Sequence, residues 1–218
     1  MDRRAVVLPI LSLIAISLVA GCSSPPEGSP EWHLGRAYDF AERGHFEAAI
    51  EEYSFVLDAD PDRADAYVNR AAAHASLEQY DEAIADGTKA IALDPSLVLA
   101  YVNRAYAFNA KTLYEAAIED SDKAIALDRT IAVAYVNRAH AYNGLGRLNR
   151  AIADCNRALD LDPELAVAYF RRAQAFKGLG ETDRAIEDFE KFITLTDNPL
   201  LSDTAVYELG QLRQQAGQ

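Results

Sequence analysis

Apolar residues recur along most of the chain at intervals of three and four, the spacing that places side chains on one face of an α-helix. Tyr101, Ala105 and Phe108, for example, share such a face. Short polar segments such as LDP interrupt the apolar pattern at regular distances and are typical of helix ends. The pattern therefore predicts a protein built from short amphipathic helices.

The helical pattern repeats every 34 residues. The hexapeptide AYVNRA occurs at residues 66–71, 100–105 and 134–139, and AYFRRA follows at residues 168–173. Positions are counted from the first residue of each 34-residue unit. Alanine occupies positions 8 and 20 of every unit, which allows two antiparallel helices to approach closely. Because one such unit cannot bury its apolar face alone, the units are expected to stack on one another. The five units span residues 30–63, 64–97, 98–131, 132–165 and 166–199.

This pattern resembles the tetratricopeptide repeat (TPR), most clearly in LEQYDEAIADGTKAIALDP and LGRLNRAIADCNRALDLDP. The resemblance implies an all-α fold, a TPR superhelical solenoid of five helix-turn-helix repeats with a concave groove. Residues 200–218 are expected to add a capping helix and tail. Within this helix, Ser202 is a candidate N-cap, and Val206, Leu209 and Leu212 form the predicted apolar stripe.

Residues 1–21 have the pattern of a signal peptide, with two arginines followed by an uncharged apolar stretch at residues 5–20. The segment LVAGC at residues 18–22 resembles the bacterial lipobox, which implies cleavage before Cys22 and acylation of that cysteine. An ordinary secretory signal and a retained membrane anchor are the alternatives, although the apolar stretch is shorter than the roughly 20 residues that a spanning helix needs. Residues 22–30 are predicted to form a flexible tether.

The predicted lipid anchor places the protein in a bacterial cell envelope. Several acyl chains on one cysteine would hold the chain firmly at a membrane surface. Ser23 follows Cys22, and the usual sorting rule of bacterial lipoproteins then implies the outer membrane, facing the periplasm, in a Gram-negative cell. The formal net charge of −13 disfavours binding to nucleic acid, because an acidic surface repels phosphate backbones.

Every unit has arginine at position 7 and an acidic residue at position 23, sixteen residues later. Since the two helices of a unit run antiparallel, these side chains can face each other, and a bidentate ion pair would fix the register of the helices. A basic stripe that binds ligand is the alternative. The predicted structural ladder consists of Arg70–Asp86, Arg104–Asp120, Arg138–Asp154 and Arg172–Asp188.

Position 6 is asparagine in three units, and position 5 is apolar throughout. In TPR domains that bind extended peptides, asparagines at this position hydrogen-bond the ligand backbone, so the resemblance implies a peptide-binding groove. The alternative is that these asparagines form hydrogen bonds between units. The candidate groove residues are Asn69, Asn103, Asn137, Arg171, Val68, Val102, Val136, Phe170, Tyr106 and His140.

The sequence offers no catalytic or metal-binding constellation. Its four histidines lack the spacing of metal ligands, no phosphate-binding loop or nucleophile motif occurs, and Cys155 reads as a buried helical residue. We therefore expect a protein without enzymatic activity or cofactor. The sequence favours a membrane-anchored scaffold that binds peptide segments or helices of partner envelope proteins. The alternative is a structural subunit of an envelope assembly that acts through self-association or permanent complex formation.

Overall fold

The computed structural model describes residues 25–196 and 199–217, and this part of the chain contains eleven α-helices and no strand. The predicted signal peptide and Cys22 lie outside the described residues. None of the described helices is long and apolar enough to span a membrane. The helices are α1 (Pro30–Glu42), α2 (Phe46–Ala59), α3 (Ala64–Ser76), α4 (Tyr80–Leu93), α5 (Val98–Ala110), α6 (Tyr114–Leu127), α7 (Ala132–Gly144), α8 (Leu148–Leu161), α9 (Ala166–Leu179), α10 (Thr182–Leu195) and α11 (Pro199–Ala216).

The described residues form two compact units, which divide between Ala107 and Phe108 within α5. In the N-terminal unit, α1 packs against α2, α2 against α3, and α3 against α4. In the C-terminal unit, each helix from α6 to α11 packs against the next. Each unit is therefore a stack of helical hairpins, as the 34-residue pattern predicts.

The alanines at positions 8 and 20 are completely buried in all five repeats. A methyl group leaves room for the facing helix to approach, so the two helices of a hairpin that lies within one unit pack closely along these positions. The ten residues are Ala37, Ala71, Ala105, Ala139 and Ala173 at position 8, and Ala49, Ala83, Ala117, Ala151 and Ala185 at position 20.

An aspartate and a tyrosine form hydrogen bonds that stabilise the turn between consecutive repeats. The Oδ1 atoms of Asp94 and Asp128 accept hydrogen bonds from the backbone N–H two residues later, at 2.9 and 2.8 Å. The Tyr101 hydroxyl donates to the carbonyl of Pro95 at 3.3 Å, and that of Tyr135 donates to the carbonyl of Arg129, also at 3.3 Å. Because a carbonyl accepts the bond, arginine can replace the usual proline here.

The turn inside each hairpin requires a left-handed residue at position 15. Glycine supplies it at Gly44, Gly146 and Gly180, with φ between 69° and 76°. Glu78 and Thr112 adopt φ of 60° at the equivalent position, where a side chain is unfavourable. The fold therefore places mild backbone strain in the second and third hairpins.

Helix α11 covers the apolar end of the fifth repeat, as predicted for a capping helix. It buries Leu209 and Leu212 in a cluster that includes Phe189 and Phe192. Two details of the prediction are wrong. The helix begins at Pro199, so Ser202 lies inside it and is not its N-cap. Ala205 is buried in place of Val206, which is 51% exposed.

Candidate functional site

The structure brings together three of the predicted Arg–acid pairs in bidentate geometry. Arg70 donates to Asp86 at 2.7 and 2.8 Å. Arg138 donates to Asp154 at 2.8 and 2.7 Å, and Arg172 donates to Asp188 at 2.7 and 2.8 Å. The three carboxylates are buried, so each ion pair links the two helices of one hairpin away from solvent. The fourth predicted pair is Arg104–Asp120, and its carboxylate is also buried.

The four arginines of the ladder also reach back to the preceding repeat, which the sequence analysis did not predict. In each case the arginine Nη1 atom donates to a polar side chain at position 25 of the preceding repeat, in its second helix. The two residues are again sixteen apart in the sequence. One arginine can therefore connect three helices, which fixes both the hairpin and its neighbour. The bonds are Arg70–Ser54 at 2.9 Å, Arg104–Thr88 at 2.9 Å, Arg138–Asp122 at 2.5 Å and Arg172–Asn156 at 2.6 Å.

The asparagines at position 6 do not form an exposed stripe. Asn69, Asn103 and Asn137 are only 4–6% exposed. The Asn69 amide donates to the carbonyl of Asp65 at 2.7 Å, and the Asn103 amide donates to the carbonyl of Val68, one repeat earlier, at 3.1 Å. For Asn103, the physical reason is that its helix packs against the first helix of the preceding repeat, to which it is bonded. Ligand binding by these amides stays a prediction, but a ligand would first have to displace the packing that covers them.

The apolar residues at position 5 are also buried rather than exposed. Val68, Val102 and Val136 are at most 2% exposed, and Phe170 is 7% exposed. Phe170 packs against Phe189 with ring centroids 5.6 Å apart. These side chains therefore form part of the core between repeats, and their assignment as residues that line a groove is corrected.

His140 and Arg171 do come together, in a pocket of about 370 Å³ in the C-terminal unit. The pocket is open to solvent, and its walls come from α6, α7, α8 and α9. Tyr106 lies in the N-terminal unit, where its ring centroid is 6.4 Å from that of Tyr80, much as the His140 ring lies 6.3 Å from that of Tyr114. The lining residues are Tyr114, His140, Asn143, Gly144, Leu148, Arg171, Gln174 and Gly178.

The electrostatic character of the pocket is set by Arg171. Burial, with a smaller contribution from the nearby Arg171 guanidinium, lowers the pKa of His140 to about 2, so its imidazole is neutral at physiological pH. Arg171 Nη1 donates to Gln174 Oε1 at 3.1 Å. None of the lining residues is acidic. The pocket is therefore a polar site with one positive charge in an acidic protein.

Two glycines allow the pocket walls to pack closely. A Cβ atom at Gly144 would lie 2.3 Å from the Tyr114 ring, and one at Gly178 would lie 2.7 Å from a methyl group of Leu148. Both glycines stand at position 13 of their repeats, and Tyr114 and Leu148 both stand at position 17 of the repeat before. The same contact therefore occurs twice, on neighbouring hairpins.

Asn143 holds the backbone of the pocket in place. Its amide donates to the carbonyl of Arg171 at 2.7 Å, and Asn109 makes the equivalent bond to the carbonyl of Asn137 at 2.8 Å. The sequence analysis missed Asn143, Gln174, Tyr114 and Leu148. Asparagine recurs at position 12 in two consecutive units, and this recurrence was the available signal.

The described residues contain no group of three or more His, Cys, Asp or Glu side chains arranged to hold a metal ion. Cys155 is completely buried in α8. Burial raises the pKa of its thiol to about 12, which disfavours the reactive thiolate at neutral pH. The pocket therefore remains the candidate site.

Comparison with protein families gives matches to the tetratricopeptide repeat over residues 34–98, 98–131, 132–165 and 166–199. These segments together cover the five hairpins almost completely. Comparison with curated proteins gives no significant match.

Solved structures with the same arrangement of helices include three that illustrate its range. MamA is 25% identical over 76% of this chain and 90% of its own, with a TM-score of 0.63. TTC0263, a thermophilic TPR protein of Thermus thermophilus, is 19% identical over 83% and 99%, with a TM-score of 0.71. YrrB, described as a TPR protein with an unusual peptide-binding site, is 18% identical over 83% and 91%, with a TM-score of 0.60.

Proposed function

Because the chain belongs to the tetratricopeptide repeat family, we propose that it is a non-enzymatic scaffold that binds a peptide segment of a partner protein. The observation that carries this proposal is the polar pocket in which His140, Arg171 and Gln174 converge. The description of YrrB as a peptide-binding TPR protein supports the same class of ligand. The buried asparagines carry no part of the proposal.

The polar groups of the pocket suit a peptide backbone. A guanidinium group can only donate hydrogen bonds, so Gln174 must turn its amide oxygen toward Arg171, and its NH₂ group remains as a donor. Neutral His140 offers one donor and one acceptor. The pocket can therefore pair with both the carbonyl and the N–H groups of an extended segment.

The walls and size of the pocket suit a short stretch of chain. Tyr114 and Leu148 provide apolar contact surface on neighbouring hairpins. A volume of about 370 Å³ lies at the lower end of the range usual for binding pockets. We therefore propose that the pocket takes one or two residues of a longer segment, and that the remaining residues bind along the neighbouring helices.

The scaffold is proposed to be held at a membrane of the bacterial envelope through acylated Cys22. The lipobox-like LVAGC segment supports this anchoring, and Ser23 supports the outer membrane in a Gram-negative cell. In this arrangement the lipid keeps the repeats close to the envelope proteins whose segments they bind.

Site-specific photocrosslinking in intact cells tests the binding site. A photoreactive amino acid at Gln174 is expected to give a discrete adduct with an envelope protein, because its side chain lines the pocket. The matched control places the same group at Arg157, which is exposed on α8 in the same unit. The adduct should be absent from this variant.

The outcomes separate the alternatives. Identical products from both positions, or no product from Gln174, would contradict binding in the pocket. An adduct with a second copy of the chain would favour self-association, the alternative derived from the sequence.

The anchoring is tested by metabolic labelling with a fatty acid and by membrane flotation. The wild-type chain is expected to incorporate label and float with membranes, and Cys22→Ser is expected to do neither. Equal labelling of both chains would contradict the assignment of Cys22.

A further inference from the structure

The first repeat differs from the others at two positions, both occupied by aromatic residues near His33. Position 3 is Trp32, whereas the other four repeats have an alanine there that is completely buried. Position 26 is Phe55, whereas the other repeats have an exposed lysine or arginine. Both departures replace a small or charged residue with an aromatic one.

Packing explains why position 3 differs in the first repeat. In the later repeats, position 3 lies against the second helix of the preceding hairpin, as Ala66 does in the cluster with Val56. No described helix precedes α1, so Trp32 stands where a neighbouring hairpin would otherwise pack. Phe55 is 45% exposed and stacks on His33, with ring centroids 3.7 Å apart. Trp32, His33 and Phe55 are called the N-terminal aromatic patch below.

Some of the charged groups near the patch are paired. Arg36 lies over the Trp32 ring at 4.6 Å and forms an ion pair with Glu52 at 3.1 Å. Glu31 is paired with Arg63 at 3.9 Å. These pairs offset part of the negative charge near the patch, so less electrostatic repulsion opposes its approach to an anionic surface.

The predicted lipid anchor lies close to this patch along the chain. A turn precedes α1, in which the Ser29 N–H donates to the carbonyl of Pro26 at 3.0 Å, and Ser29 then caps the helix. Cys22 is four residues before Pro26. Even a fully extended segment of this length spans only about 14 Å. An acylated Cys22 therefore keeps the membrane surface within a short distance of Trp32.

We propose that the N-terminal aromatic patch docks on the lipid surface to which Cys22 is anchored. Tryptophan and other aromatic side chains favour the membrane–water interface, where an apolar ring meets polar headgroups. Docking would fix the orientation of the first repeat relative to the bilayer, with the lipid as one attachment and the patch as the second. This inference rests on the proposed acylation of Cys22.

Trp32 is the single tryptophan of the chain, so its fluorescence reports the patch directly. The acylated protein is reconstituted into vesicles of phosphatidylethanolamine and phosphatidylcholine, which carry no net charge, with or without brominated acyl chains that quench tryptophan on contact. We expect brominated lipid to reduce Trp32 emission by about twofold, since an indole ring at the membrane–water interface contacts the upper part of the acyl chains. Phe55→Lys, which restores the residue type of the other repeats, is expected to lose most of this quenching.

Val206→Lys is the matched control, because Val206 is an exposed apolar residue on α11, away from the patch along the chain. Brominated lipid should quench the Trp32 emission of this variant as strongly as that of the wild type. Equal quenching of wild type and Phe55→Lys, or no quenching in a sample that floats with the vesicles, overturns the docking. A Trp32 emission shift that depends on protein concentration and not on bromination also overturns it, because a second copy then covers the patch. Failure to float would instead show that the anchoring itself is absent, and the docking that rests on it falls with it.

Discussion

At the scale of single residues, Arg138 has two acidic partners that differ in burial. Arg138 contacts Asp154, whose side chain is 10% exposed, and Asp122, whose side chain is 55% exposed. The attraction between charges is much weaker where water screens them. The two bonds of one guanidinium should therefore contribute very differently to stability.

Asp154→Ala is expected to lower the free energy of unfolding by about 3–5 kcal/mol, because it leaves Arg138 between helices without its buried counter-ion. Asp122→Ala should lower it by at most about 1 kcal/mol. Urea denaturation of both variants measures the difference. Equal losses would show that burial does not distinguish the two contacts.

The backbone strain at position 15, the left-handed residue of the hairpin turn, can be tested in the C-terminal unit. Thr112 has φ of 60°, and Gly146 has φ of 69° in open space, where an added Cβ would meet no atom within 4 Å. Thr112→Gly is expected to raise the unfolding free energy by about 1 kcal/mol, and Gly146→Thr to lower it by about 1–3 kcal/mol. Thermal unfolding of the two variants checks the signs, and a gain in both would contradict the assigned strain.

Some residue roles could be predicted from the sequence and others could not. The pairing of Arg70 with Asp86 follows from their recurrence on two antiparallel helices. The burial of Asn103 does not, because helical periodicity gives the direction of position 6 but not the neighbouring repeat that covers it. Recurrence shows that a residue is needed, and only packing shows whether solvent reaches it.

At the scale of helices, the role of α11 depends on which of its faces is buried. Leu212 is 2% exposed and lies in the cluster with Phe189 and Phe192, whereas Val206 is 51% exposed. Leu212→Ala is expected to cost about 2–5 kcal/mol of unfolding free energy, and Val206→Ala less than about 0.5 kcal/mol. Denaturation curves compare them, and similar losses would show that α11 is not packed as described.

Helix boundaries followed well from the sequence where a local signal exists. The LDP segments end the second helix of the repeats, since proline cannot continue a helix and aspartate closes the turn that follows. The start of α11 was placed too late, because Ser202 was taken as the N-cap although Pro199 also suits the first turn of a helix. The local sequence allowed both readings.

At the scale of the whole molecule, the recurring residues allow the fold to be predicted. The candidate sites lie where single residues differ from the repeat pattern. Position 9 is His140 in one hairpin and Gln174 in the next, where the first and third repeats have tyrosine. Position 6 changes from asparagine to Arg171, whose charge defines the pocket. A pattern search favours what recurs, so it selected the buried asparagines and missed Gln174.

A partner segment is proposed to bind in the pocket lined by Arg171 and Gln174 and not along the position-6 asparagines. The measurement is the affinity of a synthetic peptide, taken from the segment crosslinked to position 174, for Gln174→Ala and for Asn103→Ala, together with their melting temperatures. We predict that Gln174→Ala weakens binding at least tenfold, a loss of about 1.4 kcal/mol, and melts like wild type. Asn103→Ala should lose about 1–3 kcal/mol of stability and keep wild-type affinity, because its amide bonds the Val68 carbonyl. Wild-type affinity in Gln174→Ala with lost affinity in a fully folded Asn103→Ala would contradict the claim.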